Sequence, residues 1–204
     1  MIKKLLRKNI CIRGLREFVS KYMFMRRSFG YVSDNVIITP PNVASNRKNI
    51  YIQENVSIDA DSLMYATHAK ITIKKGFVAA RGLKIITGGH ERRVGRFLFS
   101  ITEKDKDLTK NLDKDVIINE DVWAGIDVLI LGGVCIGRGC TLAARSVVTK
   151  STLPYAIYGG VPAKFIKFYW TIDEIIEHES KLYPENERYT REQLEDIYNK
   201  YQKN

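Results

Sequence analysis

The residues best suited to chemistry lie in Ile86-Thr87-Gly88-Gly89-His90, where a lone histidine follows two glycines and precedes the charged run Glu91-Arg92-Arg93. The chain has only three histidines, and His90 falls where a strand-like pattern stops. An unperturbed imidazole titrates near pH ~6.5, so its neutral form is available as a proton acceptor at physiological pH. The two glycines permit close backbone approach and a sharp exit from a strand. A solvated loop histidine has the same local appearance. The elements that carry it must decide between the two.

Those elements repeat with an unusual period. In "INEDVWAGIDVLILGGVCIGRGCTLAARSVV" every sixth residue is aliphatic: Ile118, Ala124, Ile130, Ile136, Leu142 and Val148. Four residues after each of the first five comes a second small or apolar residue, namely Val122, Val128, Val134, Cys140 and Ser146. A helix wants spacings of three and four and a flat strand wants two, so six fits neither. It suits a coil of short straight segments that turns a corner every sixth residue and points one aliphatic side chain into a narrow prism. Three segments make one coil. Ile52, Ile58 and Met64 keep the same step, as do Ile73, Ala79 and Ile85. Three residues are inserted between Met64 and Ile73. The 33 residues from Ile85 to Ile118 are not a multiple of six, so the segment after Ile85 leaves the coil as a long loop. Long loops in compact repeats are usually functional or disordered.

Charge and cysteine usage narrow the class. The 204-residue chain carries a formal charge of +10, but the excess is local. Residues 1–30 hold nine Lys/Arg against the single acid Glu17, and residues 2–25 read as one or two basic amphipathic helices. Such an arm suits packing against the coil or a peripheral place on an anionic inner-membrane surface; nucleic acid is not expected as a partner. Residues 171–204 read as two acidic helices. The first is capped at Thr171 or Asp173, and the second opens on Thr190 with Gln193 completing a capping box. Cys11, Cys135 and Cys140 form no CxxC pair, which indicates neither a disulfide framework nor a cysteine zinc site and fits a reducing cytoplasm. No run reaches the ~18 apolar residues of a membrane span.

"DVWAGIDVLILGGVCIGRGCTLAARSVVTKSTLPYAIYGGVPAKFIK" resembles the closing coils of hexapeptide-repeat acyltransferases, in the galactoside/maltose and polysaccharide O-acetyltransferase branch. The matching pieces are Val122-Trp123-Ala124-Gly125, the "SVVTK" that ends the last coil, and "YGGVPAKFIK"; upstream, "TGGH" resembles that branch's catalytic histidine motif. The resemblance covers roughly residues 50–168. It implies an all-β core built as a left-handed parallel β-helix, an exception to the right-handed crossover rule. With it come a homotrimer whose active sites lie between neighbouring prisms, and acetyl-CoA as donor with no metal. The domain plan is then a basic helical arm over 1–35, the β-helix over 36–168 with an inserted loop at 88–115, and a helical tail over 169–204.

By that resemblance His90 takes the proton of an acceptor hydroxyl as its oxygen attacks the thioester carbonyl, and then returns it to the departing thiolate. Glu91 would orient the imidazole or meet the acceptor. Trp123 would wall the site beside His90 and the pantetheine arm. Backbone amides at Gly125 and Ile126 would serve a developing oxyanion, and the backbone of Ala144 and Thr149 would line the pantetheine groove. Lys164 and Lys167 would face the phosphates of CoA. Where the galactoside enzymes place an acceptor-binding asparagine, this chain has Asp61 or Ser62, which departs from a simple galactoside acceptor. Phe97 and Phe99 with Arg92, Arg93 and Arg96 suit either the cover of an anionic or nucleotide-bearing acceptor or simple packing.

The function expected is acetyl transfer to a sugar hydroxyl in bacterial surface polysaccharide assembly, with a carbohydrate or other small molecule as acceptor. The alternatives are a streptogramin- or chloramphenicol-type drug acetyltransferase, N-acylation of an amino sugar nucleotide, and a catalytically silent β-helix scaffold. Three histidines on such a helix also invite the zinc site of a γ-carbonic anhydrase. Against it, His178 falls on a predicted helix away from the coils, which leaves His68 and His90 an incomplete ligand set.

Overall fold

The structure is a computed structural model that describes residues 14–15, 18–19, 26–102, 105 and 112–202. The predicted basic helical arm of residues 1–35 lies largely outside the described residues. From Tyr31 onward the chain folds as successive coils of three short strands. The first holds β1 (Tyr31–Val32), β2 (Ile37–Ile38) and β3 (Asn42–Ser45), and the second β4 (Ile50–Ile52), β5 (Ser57–Ile58) and β6 (Ser62–Tyr65). The third holds β7 (Ile71–Ile73), β8 (Val78–Ala79) and β9 (Lys84–Ile86). After the inserted loop come β10 (Val116–Ile118), β11 (Trp123–Ala124) and β12 (Leu129–Leu131), then β13 (Cys135–Ile136), β14 (Thr141–Leu142) and β15 (Val147–Val148).

Every third strand joins the same parallel sheet. Sheet A is β1-β4-β7-β10-β13 and sheet C is β3-β6-β9-β12-β15. Sheet B runs β2-β5-β8-β11-β14 and continues through β16 (Ala156–Gly159) to the antiparallel strand β17 (Lys164–Phe168). The six-residue step sets this register. In sheet A Ile52, Ile73, Ile118 and Ile136 are direct partners, in sheet B Ile58, Ala79, Ala124 and Leu142, and in sheet C Met64, Ile85, Ile130 and Val148. All of these side chains are buried in one apolar core. The second inward position, two residues before each, is filled by Ile71, Phe77, Leu83, Val116, Val122 and Val128, every one at most 1% exposed. Two inward residues per segment leave the others to corners and solvent, which explains why the apolar pattern has no helical or strand period.

The corners are specified as well. Asn55, Gly76, Asp121, Gly139 and Tyr155 are left-handed (φ +53° to +76°) at the corner between sheets A and B. Asp61, Gly82, Asp127 and Arg145 repeat this between sheets B and C (φ +56° to +83°). Each such residue turns its amide onto the preceding coil, as Asp121 N–H does to the Lys75 carbonyl at 3.0 Å and Tyr155 N–H to the Arg138 carbonyl at 2.7 Å. Asparagine, aspartate and glycine tolerate this region best, and they hold most of these corners.

Two helices close the end of the coil. Helix α1 (Ile172–Leu182) starts at Thr171, whose hydroxyl accepts from the Glu174 amide while the Glu174 carboxylate accepts from the Thr171 amide. The Thr190 and Gln193 side chains make the same reciprocal bonds before α2 (Arg191–Gln202). Their apolar faces share a small core of Tyr155, Ile175 and Leu194. A buried polar hub ties α1 to the coils. Glu179, 1% exposed, accepts from the Tyr155 hydroxyl at 2.7 Å, from Arg138 Nη1 at 3.0 Å and from the Tyr189 amide at 2.5 Å. Arg138 also meets Glu120 at 3.2 Å, and Glu120 meets Lys74 at 3.0 Å. The charges thus form a ladder across three coils and into the helix. The Arg138 guanidinium lies 4.1 Å above the Tyr183 ring, a stacking contact that lysine would not reproduce.

Burial pushes several of these phenols up, Tyr158 and Tyr198 to about 12 and Tyr155 and Tyr183 further. A group whose folded pKa exceeds its unfolded value near ~10 contributes fully below that value and loses its contribution as pH rises toward the folded pKa. Stability against denaturant is therefore expected to be flat from pH 8 to 9.5 and to fall between about pH 10 and 12. Midpoints of chemical unfolding across that range, read beside phenolate absorbance, check this; a flat midpoint through pH 11 would contradict it.

Candidate active site

His90 stands on the inserted loop where the chain leaves sheet C on its way to sheet A. Thr87, fully buried, is the last residue on the coil side, and Glu91, 5% exposed, is the first residue anchored beyond His90. Between them the His90 imidazole is exposed, with no hydrogen-bond partner among the described residues. The backbone that carries it is fixed on the coil side at Thr87, while beyond His90 the Glu91 side chain is buried and ion-paired with Arg93. Thr87 N–H donates to the Tyr65 carbonyl at 3.0 Å, and Lys114 N–H, on the returning limb of the loop, donates to the Thr87 carbonyl at 2.9 Å.

The outer face of sheet B carries the other group. Trp123 projects outward from β11, 53% exposed, between Val78 and Thr141 on the neighbouring strands. The same outward column continues through Ile157 to Lys167. Lys164, opposite Gly159 on β17, is exposed as Lys167 is. At the next corner, between sheets B and C, Gly125 packs on the coil beyond. A Cβ there would lie 2.8 Å from the Ala144 nitrogen and 3.1 Å from its Cα. The amides of Ile126 and Ala144, stacked at this corner on adjacent coils, have no hydrogen-bond partner among the described residues. The Arg81 amide, at the same corner one coil earlier, is free as well. Thr149 follows β15 and is exposed. Gly125→Ala is expected to push the two coils apart here and to lower thermal stability, with the cost of a buried overpacked site, about 1–3 kcal/mol. A melting curve checks it, and an unchanged midpoint would mean that the corner yields.

Several expectations need correction. Gly125 is not an oxyanion donor: its N–H bonds the Leu142 carbonyl at 2.9 Å as part of the inter-coil ladder. Ser62 cannot meet an acceptor, because it occupies the second inward position of its segment and is 1% exposed. Glu91 neither faces solvent nor bonds His90. It is buried and ion-paired with Arg93 at 3.2 Å, which makes it an anchor. Asp61 remains accessible at its corner, paired with Arg81 at 3.1 Å, on the coil two strands from that of Ile126, about 10 Å away. Arg93 and Arg96 are engaged inside the loop, with Glu91 and Asp105 respectively. Phe97 and Phe99 are almost fully exposed.

Trp123 and His90 are not brought together within one chain. In a three-sided coil the corner between sheets C and A lies opposite the outer face of sheet B. His68 is exposed at the corner before β7, one coil before the corner from which the His90 loop leaves, whereas His178 lies on α1 with Nε2 3.2 Å from Asp121 Oδ2, at a different corner. Among the described residues no three His, Cys, Asp or Glu side chains are grouped to hold a metal, and no helix is long and apolar enough to cross a membrane. The structure adds Thr67 and Asp113, which grip the root of the loop and which sequence reasoning missed, because they lie 46 residues apart.

Residues 115–150 match the family model of bacterial transferase hexapeptide (six repeats). The chain is 40% identical over 122 residues to a probable macrolide acetyltransferase of Lysinibacillus sphaericus, covering 55% of this chain and 67% of that protein. It is 30% identical over 144 residues to a putative lipopolysaccharide biosynthesis O-acetyl transferase of Escherichia coli, covering 69% and 67%. Chloramphenicol acetyltransferases also match, and the chain spans 56% of their length. Among solved structures, a hexapeptide-repeat acetyltransferase of Vibrio cholerae, complexed with acetyl coenzyme A, superposes with a TM-score of 0.65 at 24% identity, covering 80% of this chain and 92% of that one.

Proposed function

The chain belongs to the hexapeptide-repeat acetyltransferases, and on that footing we propose that it moves an acetyl group from acetyl-CoA to a hydroxyl of a sugar acceptor, with His90 as general base. The observation that carries this reading is the exposed imidazole of His90 held on a short span between two buried anchors. A packing histidine would be covered, and an idle loop histidine would have no reason to stand between two buried residues.

The donor fits the residues available. Ile126 and Ala144 present free amides that suit the amide-rich arm of CoA, and Lys164 and Lys167 present ammonium groups that suit its phosphates. Bound there, acetyl-CoA supplies an acyl group activated as a thioester. His90 accepts the acceptor's hydroxyl proton as the oxygen becomes nucleophilic and releases it toward the thiolate that leaves, so the products are an O-acetyl ester and CoA thiol. Trp123 supplies an apolar wall that excludes water from the thioester.

We further read the coil as left-handed and the working unit as a homotrimer. The reason is the opposition of His90 and Trp123 within one chain: the base of one copy reaches the donor groove only if it faces sheet B of a neighbour. The exposed outward residues Ile37, Val78 and Trp123 of that sheet are an apolar surface that such packing would cover.

A second reading has specific support. The relative with 40% identity is a probable macrolide acetyltransferase, and an antibiotic hydroxyl needs the same base and donor as a sugar hydroxyl. Thiol release from acetyl-CoA, followed with a panel of oligosaccharides, amino sugars, a macrolide and chloramphenicol, separates the two. Turnover with a saccharide alone supports the first reading, and turnover with a drug alone replaces it. No thiol release with any member, in protein shown to bind acetyl-CoA, would count against an acceptor of these classes.

A further inference from the structure

The inserted loop leaves the coil at Gly88 and returns at Asp113, and the two ends are fastened to each other. Thr67, at the corner between β6 and β7, donates its hydroxyl to Asp113 Oδ1 at 3.0 Å. Its oxygen lies 3.1 Å from Thr87 Oγ1, which in turn takes the Thr67 amide at 3.0 Å. Asn46 and Asn49 both donate to the Thr67 carbonyl at 3.1 Å, so Thr67 is itself held from the coil below. Gly88 threads between these groups: a Cβ there would overlap both Asp113 Oδ1 and Thr67 Oγ1. One step further, Asp115 takes the Lys70 amide at 2.8 Å, which pins the returning limb to the same corner.

We propose that Asp113 is a positioning residue for His90, closing the neck of the loop through Thr67 and so fixing the backbone two residues before the imidazole. The proposal rests on the reading of His90 as the base only for its consequence in catalysis; the clasp itself is a statement about geometry. Three features favour a device over ordinary loop packing. The carboxylate reaches across the whole loop to a hydroxyl of the coil, and such a charge-assisted bond is about twice as strong as a neutral one. The carboxylate occupies the place of a Cβ at position 88, so any residue but glycine there has to displace the Asp113 and Thr67 side chains. It meets the chain at Gly88, two residues before an imidazole that has no hydrogen bond of its own, so the orientation of His90 depends on its backbone rather than on a side-chain partner.

The test uses the full chain labelled with 13C-histidine. Its three imidazole signals are assigned with His90→Ala, His68→Ala and His178→Ala. In Asp113→Ala the His90 Cε1–H signal is expected to shift or broaden while the His178 signal stays in place. Trypsin cleavage at Arg92, Arg93 and Arg96 is expected to become about tenfold faster, as the loss of a charge-assisted bond allows. Asp113→Asn still accepts from Thr67 but without the charge, and should fall between wild type and Asp113→Ala in both measurements. Thr67→Val removes the donor together with its contact to Thr87 Oγ1 and should reproduce Asp113→Ala, which keeps the test open if the alanine variant fails to fold. An unmoved His90 signal with unchanged cleavage in these variants would overturn the clasp, as would damage by Asn equal to that by Ala. Neither readout requires turnover, so loss of the base assignment by His90→Ala kinetics and loss of the clasp are separate outcomes.

Discussion

Replacing His90 with alanine is expected to lower kcat for acetyl transfer by a factor of about 10²–10⁴, the range that a positioned general base contributes. The fold should be indifferent, because the imidazole is exposed and has no hydrogen-bond partner among the described residues, and exposed substitutions of this kind cost about 0.5 kcal/mol or less. The KM for acetyl-CoA is also expected to hold within about twofold, since no binding contact to the donor is removed and uniform binding is what KM reports. This split matters more than the size of the loss. A fall in kcat at constant KM assigns His90 to the chemical step, and a parallel rise in KM would make it a binding residue. Steady-state thiol release at saturating acceptor, with a melting curve to show intact folding, decides the matter. Full turnover by the alanine variant would remove His90 from the chemistry.

The second large effect concerns stability. Glu179→Ala leaves Arg138, 13% exposed at the side chain, with Glu120 as its remaining carboxylate partner and leaves the Tyr155 hydroxyl and Tyr189 amide without an acceptor. Breaking a buried pair by removing one member typically costs about 3–5 kcal/mol, which in a chain of this size corresponds to a fall in Tm on the order of 10 °C. The loss should be local first: α1 and α2 should release from the last coil before the prism unfolds, visible as early amide exchange across residues 172–202. Arg138→Met combined with Glu179→Met removes both charges. It should cost less than the sum of the two single changes, because neither charge is stranded. If Glu179→Ala melts within about 1 °C of wild type, the hub contributes no net stability.

Much of the architecture was legible in the sequence. A prism of short segments demands an inward aliphatic residue at every sixth position, so the repeat of Ile118, Ala124, Ile130, Ile136, Leu142 and Val148 announces its register directly. The first coil was legible too: Val32, Ile38 and Ala44 keep the step, and the expected span from 36 holds two of its strands, but the eight residues from Ala44 to Ile52 hide the continuity with the next coil. Ser62 is a plainer case. It falls four residues after Ile58, which is the second inward position, so the repeat itself places its hydroxyl in the core. Reading it as an acceptor contact followed the alignment to other enzymes instead of the period.

Other features could not be read along the chain. Whether Glu91 orients His90 or anchors the loop depends on where Arg93 turns, and that is set by the folding of the loop. The Gly125 amide is spent because the carbonyl of Leu142, 17 residues away, lies directly beyond it. The clasp of Thr67 with Asp113 and the hub of Arg138 with Glu179 join residues 46 and 41 positions apart. Local propensity carries no information about such pairs; only the stacking of coils brings them within bonding distance.

By itself the sequence determined the coil, the point at which the chain leaves it and the presence of one imidazole at that point, because each follows from residue types at fixed short spacings. The tertiary structure decided which amides remain free, which carboxylates are anchors and on which side of the prism His90 stands. Those depend on partners supplied by other coils. The separation of His90 from Trp123 belongs to the second kind: 33 residues of sequence do not say which corner of a three-sided coil they end on, and only the strand order shows that the two residues face opposite ways.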